Sequence, residues 1–454
     1  MATIAERFDA LLRWVEDDGG SLNPAVEIYH DDLTKASFRV KDSCSLGVDD
    51  PIVALPLSKS LSYINAIDHH PDFASSSSPY SSSSSSPPSS SPESDINRED
   101  ACYFPTEFLK TMPPHVIGRF FLMQQHILGP KSKWWPYVRT LPQPEHMSSI
   151  LPALWPSDDI EFLRGTNAFS AVQDIKSTLK KEYKHAMRLL PETYYSEYTR
   201  PLYYWAYAIF TSRSFRPSLI FPPQTSSGLS CDLDDFSVLL PLYDIGNHSP
   251  LAKITWATDE EAQICTLTCR QTYSAGEQVF NNYGMKTNVE LLLGYGFVIP
   301  ADDNFHNDYI HIRTKADPEA GDLAATHVVS LRPMAHQSSL VGRSRLLSAD
   351  SLGCLPCFSH IQDSLIVALY ESITKGGDET NNPSLTEIMR GEIADEILRK
   401  IIDSLGSKLS VDLEDLEINE PDYEAANRNQ QLVVRYREQC WSVLENALRS
   451  LMSG

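Results

Sequence analysis

An apolar run, Leu239-Leu-Pro-Leu-Tyr-Asp-Ile-Gly-Asn-His-Ser249, breaks off abruptly at Asp244, Asn247 and His248. A strand-like segment ending in close-set polar groups suits a ligand pocket, because a rigid element then delivers those groups. Further along comes Asn281-Asn-Tyr-Gly-Met-Lys-Thr-Asn-Val-Glu-Leu-Leu-Leu-Gly-Tyr-Gly-Phe297. It joins a Tyr283-Gly284 turn signal to a helical run, Val289 to Leu293, and closes on a second pair, Tyr295-Gly296. Glycine after each tyrosine lets the backbone pack closely or take a positive φ.

The flanking chain divides by period. Phe8, Leu11, Leu12 and Val15 share one face of a predicted helix over residues 4–18. Short strand signals follow at 26–28, 37–40 and 52–55, between Asn, Asp and Gly turns. Residues 73–92 are almost entirely Ser and Pro, a composition that buries too little apolar surface to order, and they are expected to form a disordered surface loop inserted within a domain. From residue 104 to 215 the pattern is helical, with Val116, Phe120, Met123 and Ile127 on one stripe. An aromatic helix, Pro201 to Phe210, runs into Thr211-Ser-Arg-Ser-Phe215. Ile264 to Cys269 alternates inside a predicted hairpin. Beyond about residue 304 the chain is expected to be mostly helical. It carries an Ile393, Ile397, Ile401 stripe and a long amphipathic helix through Val433, Tyr436, Cys440, Val443, Ala447 and Leu451.

Composition narrows the classes. A chain of 454 residues exceeds what one hydrophobic core holds, so two domains are expected. The net charge of −22 argues against a dominant nucleic-acid footprint and for basic partners. Cys354-Leu-Pro-Cys357 with His360 has the spacing of half a zinc site, but four ligands are needed and no second such pair follows, so no metal is expected. No signal peptide, basic block or bilayer-length apolar stretch is read, which leads to the expectation of a soluble protein of the cytoplasm and/or nucleus, with no membrane partner.

The Asp-x-x-Asn-His element at 244–248 and the Tyr-Gly-x-Lys-[Ser/Thr]-Asn-x-Glu-Leu-Leu-x-x-Tyr-Gly-Phe element at 283–297 together resemble the SET-domain protein-lysine methyltransferases. The class is the one that includes the Rubisco large-subunit and ribosomal-protein lysine methyltransferases. Ser132-Lys-Trp-Trp-Pro-Tyr-Val-Arg-Thr-Leu-Pro142 resembles another of the family's strings. The resemblance implies an α+β fold: a SET domain of short β-sheets with a pseudoknot and a helical insertion, then a mostly α-helical C-terminal domain. The implied limits are 1–303 for the SET domain, with the insertion at about 103–235 and the C-terminal SET part at 236–300. Residues 304–454 would then form a helical substrate-binding domain.

The resemblance also implies a reaction, S-adenosylmethionine-dependent N-methylation of lysine on non-histone, including ribosomal, proteins. The implied partner is a basic protein presenting a lysine, met by a monomer. Asn247 and His248, with Ser212 and Arg213, would bind the cofactor, a guanidinium suiting its carboxylate. Tyr283 would be the catalytic tyrosine, while Asp244 and Tyr295 would face the substrate. Such a transfer needs alignment above all, and neither a metal nor a protein nucleophile. One element departs from the family: where SET domains carry Gly-x-Gly, this chain has Lys35-Ala-Ser-Phe-Arg-Val40. That departure keeps open a second reading, a SET-derived binding protein without turnover that holds a lysine-rich partner.

Overall fold

The computed structural model describes residues 3–31, 35–68, 103–222, 225, 229–313, 325–347, 356–374, 384–414, 416–420 and 422–453. The Ser/Pro-rich stretch at 73–92 and Cys354 lie outside them. The chain separates into two compact units, Met1–Met147 with Thr178–Tyr283, and Ser148–Ser177 with Gly284–Gly454.

The first unit opens with helix α1, Ile4–Glu16, whose Thr3 and Glu6 form a reciprocal capping box. Leu11 and Val15 of its apolar face are fully buried, as the spacing predicts. Ten short strands follow among the described residues of this unit. They are β1 Ser21–Leu22, β2 Val26–Asp31, β3 Lys35–Val40, β4 Pro51–Pro56, β5 Leu61–Ser62, β6 Ser214–Phe215, β7 Val238–Leu239, β8 Ile254–Asp259, β9 Ile264–Cys269 and β10 Gln278–Val279. They make three small sheets, in the orders β1-β4-β9-β8, β10-β3-β2 and β5-β7-β6. The predicted hairpin is β8–β9, pairing Ile254 with Cys269 and Asp259 with Ile264. Cys265, Leu267 and Cys269 face the core, and the alternating Ile264, Thr266 and Thr268 are half-buried.

The helical part begins with α2 Tyr63–Asp68, α3 Thr106–Thr111, α4 Pro114–Leu128 and α5 Trp135–Val138. Then come α6 Ser157–Glu161, α7 Asn167–Leu189 and α8 Arg200–Arg213. Helix α6 and the start of α7 group with the second unit. In the first unit α4 packs against α8 through aromatic rings, Phe120 lying 5.3 Å from both Phe108 and Tyr203. Trp205 is fully buried, and its indole donates to the Pro142 carbonyl at 2.6 Å. Glu182 of α7 is held by Arg119 at 2.7 Å, by the Tyr203 hydroxyl at 2.8 Å and by His115 at 2.9 Å. Burial pushes the Glu182 carboxyl up, and these contacts outweigh it and hold the group below the usual carboxylate range.

The second unit holds α9 Asn288–Tyr295, a two-stranded ladder of β11 Tyr309–Arg313 and β12 Thr326–Ser330, and four further helices. These are α10 Asp363–Ile373, α11 Leu385–Arg390, α12 Ala394–Asp412 and α13 Arg428–Met452. Val289 and Leu292 of α9, Ile310 of β11, Val329 of β12, Ile397 of α12 and Val433 of α13 join one apolar core. The predicted α13 face is buried from Val433 to Leu451. The β11–β12 ladder, five residues on each strand, lies within a region expected to be mostly helical. At the start of α13, Asp159 accepts bonds from Asn427, Asn429 and Gln430, each at 2.9–3.1 Å. Among the described residues no helix is long and apolar enough to cross a membrane, and no three His, Cys, Asp or Glu gather as metal ligands.

Candidate active site

Burial along the apolar run changes where the sequence changes. Leu239, Leu240, Leu242 and Tyr243 are fully buried, whereas Asn247, His248 and Ser249 are half-buried. The turn between them is strained, since Leu242 takes φ 74°, a region a branched side chain enters at a cost of about 1 kcal/mol or more. That turn starts the short 3-10 helix Tyr243–Ile245 and brings the Asp244 side chain into the interior.

The second motif meets the first through the backbone. The Asn281 N–H donates to the Asn247 carbonyl at 2.7 Å, and the Ser249 N–H donates to the Asn281 carbonyl at 3.0 Å. His248 and Asn281 form a parallel bridge, so two segments separated by β8, β9 and β10 lie side by side. Tyr283 is locked to the same place from both ends. Its N–H donates to His248 Nδ1 at 3.0 Å, and its hydroxyl donates to the Gly246 carbonyl at 2.9 Å. The two rings stack, with centroids 5.0 Å apart and 16° between planes. Because Nδ1 accepts, a neutral His248 carries its proton on Nε2. Because the Tyr283 hydroxyl donates to Gly246, its oxygen meets any second partner as an acceptor.

Arg213 ends α8, and its Nη1 donates to the Asp244 carbonyl at 3.1 Å and to Asp244 Oδ2 at 3.2 Å. The Tyr137 hydroxyl donates to that same Oδ2 at 2.9 Å. The Asp244 side chain is 1% exposed and that of Arg213 is 26% exposed. Burial pushes the Asp244 carboxyl up, while Arg213 and Tyr137 pull it down. Burial pushes the Tyr137 phenol well above its ordinary value. The Ser212 hydroxyl donates back to the Ala208 carbonyl at 2.7 Å, within its own helix. The Asn247 side-chain amide reaches Gln278 Oε1 at 3.5 Å.

Six of the seven expected residues therefore lie in the first unit: Ser212, Arg213, Asp244, Asn247, His248 and Tyr283. Asp244 points at Arg213 and Tyr137 instead of solvent. Tyr295 belongs to the second unit, where it ends α9, half-buried, with its ring 6.2 Å from that of Phe297. Burial pushes its phenol up.

The sequence reading missed Tyr137 as a site residue; its one signal is the aromatic string at 132–142. Ser37, in the stretch that stands where Gly-x-Gly is expected, is buried on β3, and its Oγ and Asn281 Nδ2 find no hydrogen-bond partner among the described residues. Atoms of this kind also occur in the second unit, at Ser330 Oγ and Trp441 Nε1, so it is the place of these two, on β3 and at the 247–281 junction, that suits a ligand's polar groups.

No protein-family model matches the chain. The ribosomal lysine N-methyltransferase set10 of Schizosaccharomyces pombe is 34% identical over 207 residues, covering 45% of this chain and 35% of that protein. The protein-lysine N-methyltransferase EFM1 of Saccharomyces cerevisiae is 26% identical, covering 37% and 33%. An actin-histidine N-methyltransferase of Gallus gallus is also 26% identical, covering 39% and 28%. The matches thus span about a third of the length of the curated relatives. Among solved structures, the SET domain of LSMT bound to lysine and AdoHcy matches with a TM-score of 0.64 and 15% identity, covering 100% of this chain and 92% of that one. Rubisco LSMT bound to AdoMet matches with a TM-score of 0.60 and 16% identity over the same shares. The chain therefore shares the fold of the LSMT SET-domain structures over its whole length.

Proposed function

We propose that this chain is an S-adenosylmethionine-dependent protein-lysine N-methyltransferase acting on basic, non-histone proteins, ribosomal proteins among them. The observation that carries the reading is the side-by-side junction of 246–249 with 281–283, which seats the Tyr283 phenol on the Gly246 carbonyl. The orphan hydroxyl of Ser37 and amide of Asn281 suit a polar cofactor beside that junction. Bound there, the cofactor supplies an electrophilic methyl group on a sulfonium.

In this reading Asn247 and His248 hold the adenine and amino-acid ends, and Arg213, with Ser212 beside it, meets the cofactor carboxylate. Asp244 holds the guanidinium in place, a role that its pairing in the interior supports. Tyr283, its own proton donated to Gly246, accepts from the incoming ε-amine and aligns the lone pair, and alignment is the largest part of such a reaction. Tyr295 lines the substrate side. Among aromatic groups the lysine cation loses solvation and its pKa falls, so the proton leaves to water without a protein base. Residues 304–454 serve in substrate binding. The chain works as a monomer in the cytoplasm and/or nucleus, and its net charge of −22 favours a basic partner over nucleic acid.

The test is incubation of the purified chain with S-adenosylmethionine and ribosomal proteins, with methyl-lysine read by mass spectrometry. Tyr283→Phe should slow the reaction by roughly two orders of magnitude while cofactor affinity holds. An unchanged rate removes Tyr283 from the chemistry, and a wild-type chain that binds no cofactor ends the enzyme reading.

A further inference from the structure

We infer that Tyr137 is a positioning residue for the Arg213 guanidinium, acting through the carboxylate of Asp244. The inference rests on the methyltransferase reading, in which Arg213 meets the cofactor carboxylate. Tyr137 lies in α5 and is 1% exposed, so its ring alone would pass for core. A buried phenol needs a partner for its O–H, and here the partner is Asp244 Oδ2. That same oxygen takes the Arg213 Nη1 contact. Both Arg213 bonds to Asp244 are made by Nη1, so the rest of the guanidinium fork is not spent on the carboxylate. Of the three side chains, Arg213 alone keeps substantial exposure. The arrangement is a buried anchor beneath one partly exposed side chain.

The charged and titratable groups around the anchor are few. Tyr137 from α5 and Arg213 from α8 face Asp244, and Tyr283 adds its field at Arg213. Burial favours a neutral Asp244, while Arg213 and the Tyr137 hydroxyl favour its ionised form. Loss of that hydroxyl removes one of the two side-chain donors to Asp244 among the described residues, so Asp244 takes up a proton at a higher pH. A neutral Asp244 no longer holds the guanidinium by charge, and cofactor affinity falls with it. Phenylalanine keeps the ring and its packing.

The experiment measures S-adenosylmethionine affinity by calorimetry across pH for the full chain, Tyr137→Phe and Asp244→Asn, with thermal midpoints recorded alongside. Tyr137→Phe should bind about tenfold more weakly at neutral pH, and the acid limb of its affinity profile should move to higher pH. Asp244→Asn should lose that limb. The Tyr137→Phe midpoint should fall by no more than the loss of one buried hydrogen bond, about a few degrees. Equal affinity with an unmoved limb overturns the inference. Weaker binding that tracks a fallen midpoint, again with an unmoved limb, means bulk packing and overturns it too. Failure of the methyltransferase reading looks different, because the wild-type chain itself would then bind nothing.

Discussion

Two glycines of the second motif, two positions apart, should respond to alanine with opposite signs. Gly294 lies within α9, and a Cβ built on it meets nothing within 4 Å among the described residues. Alanine there gains helix propensity, about 0.5–1 kcal/mol. Gly296 caps the same helix at φ 75°, its N–H donating to the carbonyls of Leu291 and Leu292. A Cβ there would sit 1.9 Å from the Ile150 carbonyl oxygen. The left-handed conformation costs roughly 1–2 kcal/mol for any other residue. Relief of a clash with backbone adds about 1–3 kcal/mol, as overpacking does. A loss of about 3 kcal/mol should lower the unfolding midpoint of the second unit by roughly 6–12 °C. Gly294→Ala should raise it by roughly 2–3 °C. Calorimetry of both variants of the full chain decides the matter. A Gly296→Ala midpoint at or above that of Gly294→Ala would refute the reasoning.

Two further outcomes concern the same unit. Thr287 caps α9, its hydroxyl accepting from the Glu290 N–H and donating to Glu290 Oε2, while Arg345 grips that carboxylate with two contacts of 2.8 Å. Thr287→Ala should cost about 1 kcal/mol in urea unfolding, and a variant as stable as wild type would show the cap to be idle. Burial raises Asp308 to about 6 and lowers His306 to about 4. The Asp308 contribution to stability is therefore full below pH 3.8 and lost as pH rises to about 6. The His306 contribution is full above pH 6.5 and lost as pH falls to about 4. The two oppose each other in the wild-type chain, so this pair adds little net pH dependence over that window. Asp308→Asn removes one side and should leave a stability that rises with pH by up to about 3 kcal/mol. A flat profile in that variant would count against the His306 shift.

The amino-acid sequence by itself determined the local pieces of this protein. The period of α1 and α13, the alternation of β9 and the Thr-x-x-Glu start of α9 are each set by neighbours a few positions apart, so they are legible without a fold. The spacing of Asp244, Asn247 and His248, and the Tyr283-Gly284 pair, picked out the candidate site for the same reason. The β11–β12 ladder went unread although Ile310-His311-Ile312-Arg313 alternates, because strands of five residues give too short a period to stand out in a mostly helical region. Only the tertiary structure decided which distant groups meet. Asn247 pairs with Asn281, Tyr283 with Gly246, and Tyr137 with Asp244 across 107 positions of chain. It also turned Asp244 inward toward Arg213, since a carboxylate removed from water is tolerated only where donors converge on it. No local pattern encodes that convergence: the donors come from α5 and α8, and packing alone brings those helices to one carboxylate.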